Sequence, residues 1–156
     1  MHLFNLIIKI ISIISLLIII FIPCIIISII IVLDSSGPVF HWSKRIGINN
    51  KIFHMPKFRT MKIETSNVAS HLLKKPEKYI TRFGKILRKT SLDEIPQIYS
   101  IIKKDMNFIG PRPALYNQFD LINLRTNKNV HKIRPGIPGL AQVNGRDNLT
   151  IKDKVY

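Results

Sequence analysis

The chain has 156 residues, with 24 Lys or Arg against nine Asp or Glu and a single Cys. That length points to one small domain, and one thiol excludes both an intrachain disulfide and a Cys/His zinc site. The excess of positive charge implies an anionic partner: a phosphorylated substrate, acidic lipid headgroups or nucleic acid.

From Ile10 to Leu33 no residue is charged and the run is mostly Ile and Leu. Those 24 positions would extend roughly 36 Å as a helix at about 1.5 Å per residue. A bilayer core takes about 20 apolar residues, so residues 1–33 are expected to form a membrane helix. A cleaved secretory signal is the lesser alternative, because its apolar core is shorter, about 7–15 residues. Residues 34–156 carry 23 of the 24 bases and all nine acids, and such a load stays on the cytoplasmic side of a membrane. Pro23 sits near the middle of the run. Spacing alone favours a kinked spanning helix, with a helix-break-helix that re-enters the same face as the alternative.

Val39-Phe40 and Ile52-Phe53 read as β segments about an Asn49-Asn50 turn, and Pro56 assigns the second strand to an edge. Residues 62–80 are polar and unpatterned, a surface loop or short helix. Phe83, Ile86 and Leu87 then form a helical stripe, with Arg82, Lys85, Arg88 and Lys89 on the other faces. Such an element either lies along a membrane surface or packs as a plain surface helix; the pattern does not choose.

In KTSLDEIPQIYS, residues 89–100, two of the scarce acids stand side by side. Ile95, Ile98, Tyr99 and Ile102 follow at i, i+3, i+4 and i+7, an apolar helix face. Ser91 and Glu94 fit a capping box, but that start puts Pro96 too deep in the helix. Asp93 as the cap leaves Pro96 in the first turn, where N–H groups are unpaired, and this start is preferred. Either way both carboxylates lie at the positive end of a helix dipole, which favours ionisation. The segments GPRPALYN and RPGIPGLAQVNGR read as ordered loops.

An ionised carboxylate held in line is a competent nucleophile toward phosphorus. Phosphoryl transfer rests on positioning and on cations around the oxygens, and Lys57, Arg59, Arg88, Arg112, Arg134 and Arg146 are candidates. Arg is suited because its planar fork bonds two phosphate oxygens together. An Asp/Glu pair also suits Mg²⁺, which takes one or two carboxylates plus substrate phosphates. For an isolated pair, a helix cap beside a solvated acid is the more economical reading.

The ordered blocks LDSSGPVF, RIG, KFRTM, TRFGKILRKTSLDEIPQI, DMNFIGPRPAL and RPGIPGLAQVNGR resemble the bacterial sugar transferase family, the monotopic phosphoglycosyl transferases. The resemblance runs from about Phe4 to Arg146. It implies an α+β fold: a membrane-embedded, re-entrant helix broken at Pro23, then a small cytoplasmic domain, residues 34–156, with amphipathic helices and short strands. It implies transfer of a phosphosugar from a UDP-sugar to undecaprenyl phosphate with release of UMP, starting glycan assembly. Asp93 would be the nucleophile, forming an aspartyl-phosphosugar, and Glu94 its partner as a metal or acid/base group. The cofactor would be Mg²⁺ near Asp93. Lys57, Arg59, Arg88, Arg112 and Arg146 would bind substrate phosphates. The expected location is the bacterial inner membrane, with the catalytic domain facing the cytoplasm and no nucleic-acid partner.

The chain departs from the family's usual pattern at several places. Ile22 precedes Pro23 where Ser is common, and Pro138 and Leu140 stand where Thr and Trp are usual. Relatives continue into a closing segment past the position of Tyr156, so the domain is expected to lack it. The alternatives are an inactive remnant, or a membrane-tethered basic module that binds anionic lipid or nucleic acid. Scattered bases with few interleaved aromatics disfavour nucleic acid. The sugar, the glycan pathway and the oligomeric state are not encoded in any recognisable residue.

Overall fold

A computed structural model describes the backbone of residues 2–63, 65, 76–137 and 155, and their side chains except at 2–5, 13, 14, 16, 17, 20 and 76. It is a mixture of helices and one small sheet. A long helix α1 (His2–Asp34) is followed by a hairpin of β1 (Phe40–Ile46) and β2 (Ile52–Phe58). Short helices α2 (Arg82–Thr90), α3 (Ile98–Ile102) and α4 (Phe119–Asn127) complete it, with 3-10 turns at Ile48–Asn50, Pro76–Lys78, Leu92–Gln97 and Val130–Lys132.

Helix α1 runs unbroken through Pro23, which corrects the expected break. A proline deletes one ladder bond but holds a helical φ, so the bonds on either side can carry the helix past it. Among the described residues no helix is long and apolar enough to cross a membrane. Within α1, side chains are described without interruption over residues 21–34. Only one stripe of this run is covered. Ile27 and Ile31 are buried with Phe58 and Leu87, and Cys24 packs beside them, a spacing that keeps one helix face inward. Ile22, Ile26, Ile29 and Leu33 are exposed.

The end of α1 is fastened from two sides. The Asp34 carboxylate accepts the Phe83 N–H at 3.0 Å, a negative group at the positive end of α2. Thr81 caps the same end, its hydroxyl accepting the Gly84 N–H at 3.0 Å. Gly84 lies so close to the Thr60 carbonyl that any Cβ would collide with it.

The hairpin pairs Phe40 with Phe58 through to Ile46 with Ile52. Its turn places Asn49 and Asn50 at φ 54° and 57°, the left-handed region that Asn tolerates. The two expected β segments are therefore present and extend further along the chain. Pro56 faces Trp42 in a two-stranded sheet. The other edge of β1 receives residues 114–116: Ile46 N–H donates to the Ala114 carbonyl at 2.9 Å and Tyr116 N–H to that of Lys44 at 3.3 Å.

The segment after α2 differs from its expected form. Ser91 is left-handed at φ 59°, ends α2, and makes no side-chain cap bond to the turn that follows. Winding restarts at Leu92 as a 3-10 turn and becomes α-helical only at Ile98. Neither the capping box nor an Asp93 cap forms. Six residues wound at about three per turn shift the phase of the apolar stripe. Ile95 packs against the core, but Tyr99 is 46% and Ile102 74% exposed, while Gln97 and Ser100 are buried. In residues 62–80, the described part shows the Pro76–Lys78 turn and a bridge between Met61 and Ile80.

Candidate active site

The hairpin register sets His41 opposite Lys57, and the last turn of α2 brings in Arg88. Together with Lys44, Arg45, His54 and Arg59 they line a cleft of about 460 Å³, within the roughly 300–1,000 Å³ of small-molecule sites. Phe40, Trp42 and Tyr116 add aromatic wall, and no Asp or Glu lines the cleft among the described residues.

Asp93 is only 7% exposed. It is not on the cleft wall, but Lys57 and Arg88, which are, act on its charge. Burial pushes its carboxyl above the usual range; Lys57 pulls it down, Glu94 pushes it up, and Arg88 and its own backbone N–H pull it down. The net direction is upward. That corrects the expectation that the helix dipole keeps it readily ionised, because removal from water outweighs the dipole and the cations.

Burial likewise lowers Lys57 to about 8, helped by Arg45 and Arg88 and opposed by Asp93. His41 is lowered by burial and then by Lys57, Arg45 and Arg88. These cations crowd one another with few carboxylates to offset them, an arrangement that a polyanionic ligand would relieve.

The sequence-predicted residues do not all converge. Arg88 is held at the cleft, its Nε donating to Thr60 Oγ1 at 2.9 Å. Arg59, 5% exposed, also lines the cleft, but its guanidinium is engaged with backbone. It donates to the carbonyls of Ser35 at 2.6 Å, Gly37 at 3.4 Å and Ile31 at 3.5 Å, and to that of Ser36. Its charge answers the negative end of α1, so its donors toward a phosphate are already engaged. Arg112 is placed differently: its guanidinium grips both Glu94 oxygens, at 2.7 and 3.3 Å, and does not line the cleft. Arg146 lies outside the described residues.

Like His41, Lys44 and His54, Arg45 is a cleft residue that sequence reasoning missed. Its Nε donates to Ser43 Oγ at 2.9 Å and its Nη1 to the Pro113 carbonyl at 3.1 Å. Burial first, then Arg112, lower it to about 10 against the opposing pull of Glu94. The available signal was its place in RIG, alternating with His41 and Ser43 along β1.

Among the described residues no three His, Cys, Asp or Glu side chains gather to hold a metal. With both Glu94 oxygens on Arg112, Asp93 is the carboxylate left beside the cleft cations. One carboxylate plus substrate phosphate oxygens is a donor set that suits Mg²⁺.

A family model described as bacterial sugar transferase matches residues 2–156. The chain is 35% identical over 131 residues to the galactosyl transferase CpsE of Streptococcus agalactiae, covering 77% of this chain and 29% of that protein. It is 41% identical over 118 residues to the UDP-glucose:undecaprenyl-phosphate glucose-1-phosphate transferase of Xanthomonas campestris, covering 72% and 24%. With the UDP-N-acetylgalactosamine-undecaprenyl-phosphate N-acetylgalactosaminephosphotransferase of Aeromonas hydrophila it shares 37% over 119 residues, covering 74% and 28%. The chain thus spans under a third of the length of each of these relatives.

Proposed function

This chain belongs to the bacterial sugar transferase family, and we propose that it transfers a phosphosugar from a UDP-sugar to undecaprenyl phosphate, releasing UMP. The observation that carries the reading is Asp93, buried beside a cation-lined cleft and coupled to Lys57 and Arg88 on its wall. Relatives named for undecaprenyl-phosphate transfer of glucose and of N-acetylgalactosamine support the acceptor and leave the sugar open.

In the proposed reaction the Asp93 carboxylate attacks the β-phosphorus of the donor. The bond to the bridging oxygen breaks, and the electron pair leaves with UMP. The phosphosugar is then held on Asp93 as an acyl phosphate. A phosphate oxygen of undecaprenyl phosphate attacks the same phosphorus and returns the carboxylate. Asp93 is buried and off the cleft wall, so donor binding includes a local opening that exposes it. Lys57, Arg88 and Arg45 attract the diphosphate, and Lys57 and Arg88 favour the ionised carboxylate. Glu94, gripped by Arg112, keeps the turn in place. Mg²⁺, held by Asp93 together with donor oxygens, would supply charge neutralisation at the transferring phosphoryl group.

In the same proposal α1 is the membrane element, inserted from the cytoplasmic face of the inner membrane, with the basic domain remaining on that face. Its exposed Ile, Val and Leu flanks suit a lipid environment.

The reading is tested by UMP release from a panel of UDP-sugars, in membranes containing undecaprenyl phosphate and Mg²⁺. At least one donor should release UMP only when the acceptor is present or in an amount stoichiometric with enzyme. Absence of release from every donor would overturn it.

A further inference from the structure

The segment Pro111–Arg112–Pro113 has a prolyl nitrogen on each side of Arg112, so two of its three residues offer no N–H to hold it. It is held instead by its carbonyls, each with a different donor. Gly136 N–H reaches the Pro111 carbonyl at 3.1 Å, Arg125 Nη1 the Arg112 carbonyl at 2.7 Å, and Arg45 Nη1 the Pro113 carbonyl at 3.1 Å. Arg125 is therefore the side chain bonded to the residue whose own guanidinium grips Glu94.

Arg125 lies on α4, is 9% exposed, and sends its Nε to the Val155 carbonyl at 3.0 Å. Val155 is buried with Ala114, Leu121 and Val130, so one guanidinium joins three stretches far apart in the chain. Its helix is fixed in turn, because Asn50 Nδ2 donates to Thr126 Oγ1 at 3.0 Å. Burial lowers Arg125 to about 10, a cost that a surface Lys or Arg would not carry.

We propose that Arg125 is a positioning residue for the transfer reaction, clamping the Arg112 carbonyl so that Arg112 holds Glu94, and hence Asp93, in register, with the Val155 carbonyl as the clamp's other jaw. This rests on the transferase reading above. Neither Arg112 nor Glu94 lines the cleft, so loss of the clamp acts on turnover and not on donor capture. A change of about 1 Å in a reacting group can cost on the order of 10²-fold in rate.

The test compares wild type, Arg125→Leu, Arg125→Lys, Arg112→Lys and the double variant Arg125→Leu/Arg112→Lys, each normalised to folded protein. For Arg125→Leu the expected result is kcat down about 10- to 100-fold with donor KM within about twofold. Arg125→Lys keeps the charge and one donor and should recover part of the loss; it carries the test if the Leu variant does not fold. The double variant should be no slower than Arg112→Lys alone, since the two act through one contact. Independent losses that multiply, or a raised KM at unchanged kcat, would overturn the proposal.

Hydrogen exchange supplies an arm that needs no activity. Amides of residues 114–116 should exchange faster in Arg125→Leu, while those of β1 and β2 paired with each other stay as in wild type. Equal loss in both places would mean a general structural role and contradict the clamp. If the wild type releases no UMP, the transferase reading fails, and hydrogen exchange alone then decides whether Arg125 holds this segment.

Discussion

Lys57 and Arg59 stand two residues apart in KFRTM and both line the cleft, yet their charges meet different surroundings. Arg59 faces the end of α1 and spends its donors on four backbone carbonyls. Lys57 faces the cleft, where burial and neighbouring cations lower it to about 8 and Asp93 is the one group that raises it. One cation closes a helix end, where both terminal nitrogens are bonded and its buried Nε has no partner among the described residues. The other is held among like charges and gains from an incoming anion. Charge alone therefore does not identify a phosphate ligand; what the charge already holds does.

The largest effect expected from this contrast is on stability. Arg59→Met should destabilise the fold by about 3 kcal/mol, since it strips charged donors from buried carbonyls. Donor KM in the folded fraction should stay within about twofold. Urea unfolding and initial-rate kinetics on the same preparation check this, and a selective rise in KM would return Arg59 to the substrate site.

How far this division was legible from sequence depends on the distance over which each feature is decided. The hairpin was legible because alternation and the Asn49-Asn50 turn are local. Helix α2 was legible from the Phe83, Ile86 and Leu87 stripe for the same reason. The start at Leu92 was not, because it depends on Ser91 adopting a left-handed conformation that residue type does not announce. The partners of Arg59 and Arg112 were not legible, because they come from the end of α1 and from Glu94, and tertiary docking decides both. Asp93 was picked out by its neighbour and its blocks, but the upward shift of its carboxyl depends on burial, which no spacing reveals.

The second effect is the converse of the first. Lys57→Met should raise donor KM about tenfold, as expected for one charge-assisted contact. It should leave stability unchanged or higher at neutral pH, because a crowded buried charge is removed. Equal losses in KM and stability would erase the distinction between the two residues.

The smallest effect is the pH dependence of the same group. In the folded chain Lys57 releases its proton near pH 8, against 10.5 ordinarily. The unfolded chain therefore binds more protons between those values, and stability should rise with pH across that window. Activity should move the other way: kcat/KM for the donor should fall a few-fold above about pH 8 as the cation is lost. Lys57→Met should flatten both profiles, and a wild-type kcat/KM that is level to pH 10 would show that the Lys57 charge does not serve the donor.

The most direct measurement of the central claim is to trap the covalent intermediate. A donor radiolabelled in its β-phosphate and sugar is mixed with enzyme and Mg²⁺ in the absence of undecaprenyl phosphate, quenched, and the label mapped by proteolysis. The label should be found on the peptide containing Asp93, be discharged by added undecaprenyl phosphate, and be absent from Asp93→Asn. Label retained by Asp93→Asn, or found on another residue, would contradict the account.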